Sequence, residues 1–213
     1  MKIDKLIRSK RKTIGLQIAP DATLVVRAPK SAKIADIETV VFRHIDWIRR
    51  KKEYVLKNRN EIPVRQFIDG EEFPYLGRSF KLSISDSHWH SLVFDDGFYL
   101  SQKYQPQARQ LFIKWYKLQA RGVISQRVQL LATKANLHYG RIKITSANRR
   151  WGSCSAKGNL NFSWRLILAP LEAVDYVVAH ELAHLEVKNH SRRFWDKVRE
   201  LYPDYERWRR WLR

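Results

Sequence analysis

The chain has 213 residues, of which 44% are hydrophobic and 12% aromatic. This composition provides for a sizeable core and excludes wholesale disorder, while no apolar run approaches the roughly 18 residues that cross a bilayer. A single cysteine excludes an internal disulfide. We therefore expect a soluble, cytoplasmic protein that does not engage a membrane.

The charge is strongly positive, with 41 Lys and Arg against 21 Asp and Glu and a formal net charge of +20. Such a charge favours polyanions as partners, such as nucleic acid, nucleotides or acidic proteins. The alternative is a solvated basic surface that only aids solubility, because the charge is spread along the chain. The sequence leaves both readings open and does not indicate an oligomeric state.

The first half of the chain, residues 1–101, is predicted to be rich in β-strand with one helix. Short alternating stretches at residues 13–18 and 23–27 predict strands. Apolar residues then recur every three to four positions from Ser31 to about Asn58, which predicts one amphipathic helix capped by Ser31. Residues 62–101 predict further strands. Their turn signals are Asp69-Gly70, Leu76-Gly77 and Asp95-Asp96-Gly97.

The second half, residues 102–213, predicts an α+β region. In chain order it predicts a helix over 106–136, strands over 142–145 and 160–165 around an irregular stretch, and helices over 171–187 and 191–203. Gly122 is a weak point of the first of these helices. A short tail rich in Trp and Arg follows. The fold class expected from the whole chain is α+β, with a boundary near residue 102.

The predicted helix after residue 170 carries the run HELAH at residues 180–184. Four positions on a helix of 3.6 residues per turn leave a rotation of roughly 40°, so His180 and His184 leave the same face and can converge on one metal ion. Glu181 flanks that site, where it can polarise a metal-bound water. The alternative is two histidines that bind nothing, but the apolar stripe of the helix lies on another side.

A catalytic zinc needs a third protein ligand, with the fourth position left open. His190 is the predicted third ligand, which requires the chain to turn after Val187. Asn189 tolerates the left-handed conformation that ends helices, and Ser191 can cap the next helix. Metzincin proteases have a third histidine at this spacing, but a glycine where this chain has Val187, which argues against a true metzincin. Glu186 is the alternative third ligand.

Further motifs surround the histidine pattern between residues 140 and 203. They are RRWGSCS at 149–155, GNLNFSWRL at 158–166, DYVV at 175–178 and HELAHLEVKNHSRRFW at 180–195. These stretches closely resemble the YgjP-like family of predicted metal-dependent hydrolases, which looks related to the SprT and WLM metalloproteases. The resemblance implies a zincin-like core in residues 102–213, with a small antiparallel sheet, an HExxH active-site helix and a third histidine just beyond it.

The resemblance also implies the roles of the site residues. His180, His184 and His190 match the ligand positions for one zinc ion per chain, although another divalent first-row metal is an alternative. Glu181 matches the general base. The developing oxyanion then needs a hydrogen-bonding or positive partner. The candidates for this and other substrate contacts are Arg149, Arg150, Trp151 and Tyr176.

The first functional hypothesis is a zinc metallopeptidase. Zincins bind an extended peptide by adding it to a sheet edge, and residues 160–163 are the predicted edge. The resemblance to SprT and WLM proteases suggests that a basic surface brings the enzyme to DNA-bound protein substrates.

Two alternatives remain. One is a metal-dependent hydrolase of an anionic small molecule such as a nucleoside triphosphate, in which Arg149 and Arg150 hold phosphates. The other is a non-enzymatic nucleic-acid-binding protein with a structural metal, which the interleaved Trp and Arg of residues 207–213 suit. Against it, a structural site normally has four protein ligands, and one cysteine makes these hard to supply. The 207–213 run also suits a helix that docks its tryptophans on the core.

Overall fold

The computed structural model describes residues 3–19, 21–58, 65–86 and 91–212, apart from the side chains of residues 57 and 58. These residues form six α-helices and three small mixed sheets, which confirms the expected α+β class. The chain divides into two compact units, residues 1–65 and 66–213. None of the described helices has the length and apolar character needed to cross a membrane.

The first unit combines a three-stranded sheet with two helices. Its elements are β1 (Lys5–Ser9), β2 (Gly15–Ile18), β3 (Leu24–Pro29), α1 (Ile34–Arg43) and α2 (Ile45–Asn58). Strand β3 lies between a parallel β1 and an antiparallel β2. The single helix expected over residues 31–58 is two helices, because the backbone leaves the helical range at His44 (φ −108°, ψ 19°). The first helix begins after Lys33 rather than at the expected cap, Ser31.

The second unit begins with a four-stranded sheet that packs on a long helix. Its elements are β4 (Glu72–Tyr75), β5 (Arg78–Ser85), β6 (Leu92–Phe94), β7 (Phe98–Ser101) and α3 (Ala108–Lys134), with sheet order β4-β5-β7-β6. Of the stretch predicted as strands, residues 62–64 and 87–90 lie outside the described residues. The ring of Phe98 lies 4.8 Å from Phe112 and 4.9 Å from Trp115. The boundary predicted near residue 102 therefore falls inside the second compact unit, because β7 shares the core of α3.

Helix α3 is continuous, and Gly122 is exposed within it without interrupting it. Its buried side chains recur every four residues along one face. They include Phe112, Tyr116, Ala120, Ile124 and Val128. The helix starts at Ala108, two residues later than predicted, because residues 102–107 form a 3₁₀ segment.

The remaining elements surround the HELAH run. They are β8 (Ile142–Thr145), β9 (Gly152–Cys154), β10 (Leu160–Ser163), α4 (Leu171–Glu186), α5 (Arg192–Leu201) and α6 (Tyr205–Trp211). The sheet is mixed rather than antiparallel, since β10 runs parallel to β8 and antiparallel to β9. Strand β10 is central, so the edge predicted at residues 160–163 is wrong, and the edge strands are β8 and β9. The predicted irregular stretch contains β9.

The Trp- and Arg-rich tail forms helix α6 and docks on the core through part of its surface. Tyr205 and Trp208 are buried, whereas Trp211 remains exposed. The predicted docking of the tail on the core is therefore observed for Trp208 but not for Trp211.

Candidate metal centre

Helix α4 carries the HELAH run and is buried along nearly its whole length. Pro170 precedes its first residue with φ −53°, close to the angle of a helical turn. Residues 173–179 and 181–183 are all buried, and the helix contacts α3, β9, α5 and α6. Asp175 accepts two hydrogen bonds from the guanidinium of Arg127 on α3. A helix packed on several sides holds its polar side chains in fixed positions.

The three predicted ligands come together at the end of this helix. His180 and His184 leave the same face, with ring centroids 5.0 Å apart. His190 reaches them from the segment between α4 and α5, and its Nε2 lies 3.1 Å from Nε2 of His180. One ligand atom from each histidine lies within 4.8 Å of the other two. Glu186, the alternative third ligand, is exposed and forms an ion pair with Lys197 at 3.4 Å.

The turn that delivers His190 differs from the one predicted. Helix α4 ends because Val187 adopts an extended conformation (φ −122°, ψ 108°), and Asn189 is not among the residues with positive φ. The carbonyl of Val187 lies 3.0 Å from Nδ1 of His184. Lys188 donates a hydrogen bond to the carbonyl of His184 at 2.6 Å. A β-branched residue favours extended backbone, so this turn does not need the glycine of the metzincins.

The ring of Phe194 of α5 packs against all three histidines. It is fully buried, and its ring centroid lies 4.9, 4.5 and 4.7 Å from those of His180, His184 and His190, respectively. The neighbouring Trp195 stacks on His190 at 5.9 Å. Sequence reasoning did not single out either aromatic residue. The available signal was an aromatic pair in the first turn of the helix that follows His190.

Glu181 is buried between α4 and β9, with a relative exposure of 5%. Gly152 makes room for it, because a Cβ at that position would lie 2.5 Å from Oε1 of Glu181. Burial raises the pKa of Glu181 from 4.5 to about 7, against the smaller opposing effects of the Arg150 charge and a backbone hydrogen bond from Cys154. Its Oε2 has no hydrogen-bond partner among the described residues. This carboxyl group can accept a proton near neutral pH.

His180 and His184 are suited to act as neutral ligands. Burial, as the largest cause, together with the neighbouring histidines and Arg209, lowers the pKa of His180 from 6.5 to about 3. Burial also lowers the pKa of His184. Because a carbonyl can only accept, Nδ1 of His184 must carry the proton that it shares with Val187, which leaves the Nε2 lone pair for a metal.

The donor set fits a divalent metal. Two nitrogens on a tetrahedral zinc, each about 2.0–2.1 Å from the ion, lie about 3.3 Å apart. The observed Nε2–Nε2 distance between His180 and His190 is 3.1 Å. Nδ1 of His180 is buried and has no hydrogen-bond partner within the described part of the chain. Imidazole nitrogens suit zinc and several other first-row metals, so the donor set does not define which metal is bound.

A pocket of about 520 Å³ opens beside His180 and His190. Its other lining residues are Trp151, Tyr176, Trp195, Arg209 and Leu212. Two of the four predicted substrate contacts, Trp151 and Tyr176, therefore lie beside the histidines, and the ring of Tyr176 is 6.0 Å from that of His180. Arg209 was missed because it comes from α6, which no local pattern connects to the HELAH helix.

The other two predicted substrate contacts do not line this pocket. Arg150 is exposed, but its charge acts on the pKa of Glu181. Arg149 is also exposed and is not among the lining residues. Cys154 is half-buried and packs against the core.

Three converging histidines with a buried carboxyl group beside them are typical of a metal-dependent hydrolase. The sequence matches the YgjP-like metallopeptidase domain over residues 12–213. The chain therefore belongs to the YgjP-like family, and at the level of the family it is a metal-dependent peptidase that takes a divalent metal.

Among solved structures, the chain is similar to the metallopeptidase zymogen of Methanocaldococcus jannaschii jannalysin. The two are 20% identical with a TM-score of 0.38, over 42% of this chain and 92% of that chain. No curated protein matches the sequence at the significance required.

Proposed function

We propose that this protein is a zinc peptidase in which His180, His184 and His190 hold the metal and Glu181 is the general base. The observation that carries the proposal is the convergence of the three ring nitrogens within 4.8 Å of one another, with the buried carboxyl group of Glu181 one residue along the same helix. Three protein nitrogens and an open position are the donor set of catalytic rather than structural zinc.

Each residue around the metal site has a distinct role in the proposed reaction. When bound, the metal supplies Lewis acidity towards a water molecule and the scissile carbonyl. Glu181 takes the proton of the attacking water, since its pKa of about 7 suits an exchange of protons at neutral pH. The amide of Cys154 hydrogen-bonds to this carboxyl group and holds it in place. Phe194 packs against the imidazole rings and keeps them in position.

The edge strand β9 is the proposed binding site for the peptide. The carbonyl of Trp151 and the amide of Ser155 bond towards β10, so the alternation along a strand directs the backbone groups of Gly152 and Cys154 away from β10. The amide of Cys154 is engaged by Glu181, which leaves the amide and carbonyl of Gly152 and the carbonyl of Cys154 for this edge. An extended peptide can pair with that edge by β-strand addition, close to Glu181.

The test compares Glu181→Gln, His190→Ala and wild-type protein for metal content and for cleavage of an unfolded protein substrate. Glu181→Gln should keep its metal stoichiometry and lose about 100-fold or more in rate. His190→Ala should lose metal. Full activity of Glu181→Gln would remove its role as general base, and unchanged stoichiometry in His190→Ala would remove the ligand assignment.

The second candidate function is hydrolysis of an anionic small molecule, such as a nucleoside triphosphate, on the same metal site. The observation that favours it is the guanidinium of Arg209 in the pocket beside His180. A nucleotide panel assayed with the same variants separates the two functions. Hydrolysis of nucleotide alone, lost in Glu181→Gln, would move the assignment to phosphate chemistry.

We also propose a polyanionic partner. Residues 1–65 carry 17 Lys and Arg against 7 Asp and Glu, a higher density of positive charge than in the rest of the chain. Binding of labelled DNA should weaken steeply with salt if phosphates are contacted. Absence of DNA binding at low salt would support a basic surface that serves only solubility.

A further inference from the structure

Arg209 lies on α6 and is half-buried at the wall of the metal-site pocket. Its guanidinium carbon stands 3.9 Å from the ring centroid of Trp195. Trp195 is itself held between elements, because it stacks on Tyr205 at 5.6 Å and on His190 at 5.9 Å. A guanidinium stacked on an aromatic ring that is fixed in this way is preorganised rather than free to move through solvent.

The charge of Arg209 has no acidic partner within the described part of the chain. The ion pairs found there use other arginines and lysines, and Glu206, on the same helix, lies 3.9 Å from Arg199 instead. Arg209 nevertheless lines the same pocket as His180 and His190. The same pocket thus places a fixed positive charge beside histidines suited to a divalent cation.

A metal ion held by the histidines and the guanidinium of Arg209 would be two positive charges in one pocket. They would repel each other unless an anion lay between or beside them. The other pocket walls do not supply one, since Trp151, Tyr176, Trp195 and Leu212 are aromatic or aliphatic. An apolar wall with one directed polar group is typical of a site that orients a small ligand group. The carboxyl group of Glu181 lies beside the histidines but packs against β9 and does not line this pocket. An anion that pairs with Arg209 is therefore expected from the substrate.

We propose that Arg209 is the specificity-determining residue of this pocket and binds an anionic group of the substrate beside the metal. This inference rests on the proposed function, because it assigns the substrate chemistry of the same site. The planar fork of a guanidinium pairs with a carboxylate or a phosphate through two parallel hydrogen bonds. A carboxylate would come from a peptide with an acidic side chain or a free C-terminus near the scissile bond. A phosphate would come from a small phosphorylated substrate.

The experiment measures binding rather than turnover. Metal-loaded wild-type protein is titrated with N-acetyl-Ala-Phe, with its C-terminal amide and with phenylphosphonate, and quenching of tryptophan fluorescence gives each dissociation constant. The variants are Arg209→Gln, Arg209→Lys and the matched control Arg210→Gln, which removes the same charge from an exposed position of the same helix. Wild type should bind the acid about 10- to 100-fold more tightly than the amide.

The acid-to-amide ratio distinguishes an anion site from a structural role for Arg209. It should fall to about one in Arg209→Gln, stay partly intact in Arg209→Lys and remain unchanged in Arg210→Gln. Loss of the stacking on Trp195 would lower the melting temperature of Arg209→Gln, but it would not by itself alter this ratio. The proposal would be overturned if neither the acid-to-amide ratio nor the affinity for phenylphosphonate differed between Arg209→Gln and Arg210→Gln. Where wild type binds the acid selectively, a ratio in Arg209→Lys as low as in Arg209→Gln would overturn it as well.

The phosphonate arm separates this inference from the peptidase proposal. Phosphonate binding that depends on Arg209, without binding of the peptide acid, supports the anion site and assigns it to a phosphorylated substrate. Selective binding of the peptide acid supports the site and assigns it to a carboxylate. Cleavage that survives in Glu181→Gln would refute the role of Glu181 as general base. The acid-to-amide binding ratio would still test the role of Arg209, because it does not depend on turnover.

Discussion

Replacing Glu181 with Gln should stabilise the metal-free protein, and the stabilisation should grow with pH. Burial raises the pKa of Glu181 from 4.5 to about 7. The folded state therefore holds this proton more tightly than the unfolded state does. The proton's contribution to stability is fully present below pH 4.5 and is lost as pH rises through about 7. Gln has the same shape and no charge to desolvate, so the variant escapes this loss.

The magnitude follows from the two pKa values. At about 1.4 kcal/mol for each pH unit between 4.5 and about 7, ionisation of Glu181 costs the folded state about 3 kcal/mol at pH 8.5. At pH 5.5 only about 1.4 kcal/mol of this cost is present. The difference in free energy of unfolding between the variant and wild type should therefore increase by about 2 kcal/mol from pH 5.5 to pH 8.5.

The assay is urea unfolding of chelator-treated protein at pH 5.5, 7.0 and 8.5, followed by tryptophan fluorescence. Seven of the eight tryptophans lie in the second unit, beyond residue 65, so the signal reports the unit that contains Glu181. Glu172→Gln is the control, because Glu172 is an exposed carboxylate on the same helix. The contributions of groups that do not interact with residue 181 or 172 cancel in the comparison.

Identical pH dependence in wild type and Glu181→Gln would refute the reasoning, because it would mean that the carboxyl group is not desolvated in the folded protein. The same pH trend in Glu172→Gln would point to net charge rather than burial as the cause.

Four further substitutions concern glycines. Gly152→Ala sets a Cβ 2.5 Å from Oε1 of Glu181, so peptide hydrolysis should fall about 100-fold or more with metal stoichiometry unchanged; an active variant would show that β9 does not hold Glu181. Gly77→Ala combines φ +77° with a Cβ 2.8 Å from the proline that precedes α4, and should cost about 2–3 kcal/mol in urea unfolding. Gly70→Ala, with φ +78° and open space, should cost only about 1 kcal/mol; equal losses would contradict the steric argument. Gly122→Ala, exposed in α3 with nothing near its Cβ position, should add about 0.5–1 kcal/mol, and a lower melting temperature would count against it.

The sequence alone predicted the parts of this protein that local spacing controls. His180 and His184 share a face because a helix repeats every 3.6 residues, whatever packs around it. The turn at Leu76 and Gly77 was predicted from its local turn signal, and in the structure both residues have positive φ (47° and 77°). The apolar periodicity of α3 likewise predicted a long helix before any tertiary contact was known.

Tertiary structure decided the features that depend on residues far apart in the chain. Strand β10 became central and β9 became the edge because β8 pairs with β10 in parallel, a register that periodicity does not encode. The pKa of Glu181 depends on Gly152 and the burial that β9 imposes. Arg209 enters the pocket only because α6 packs on α4. Hydrophobic patterning indicates which face of a helix or strand is buried. Which other element packs against that face depends on the packing of the whole core.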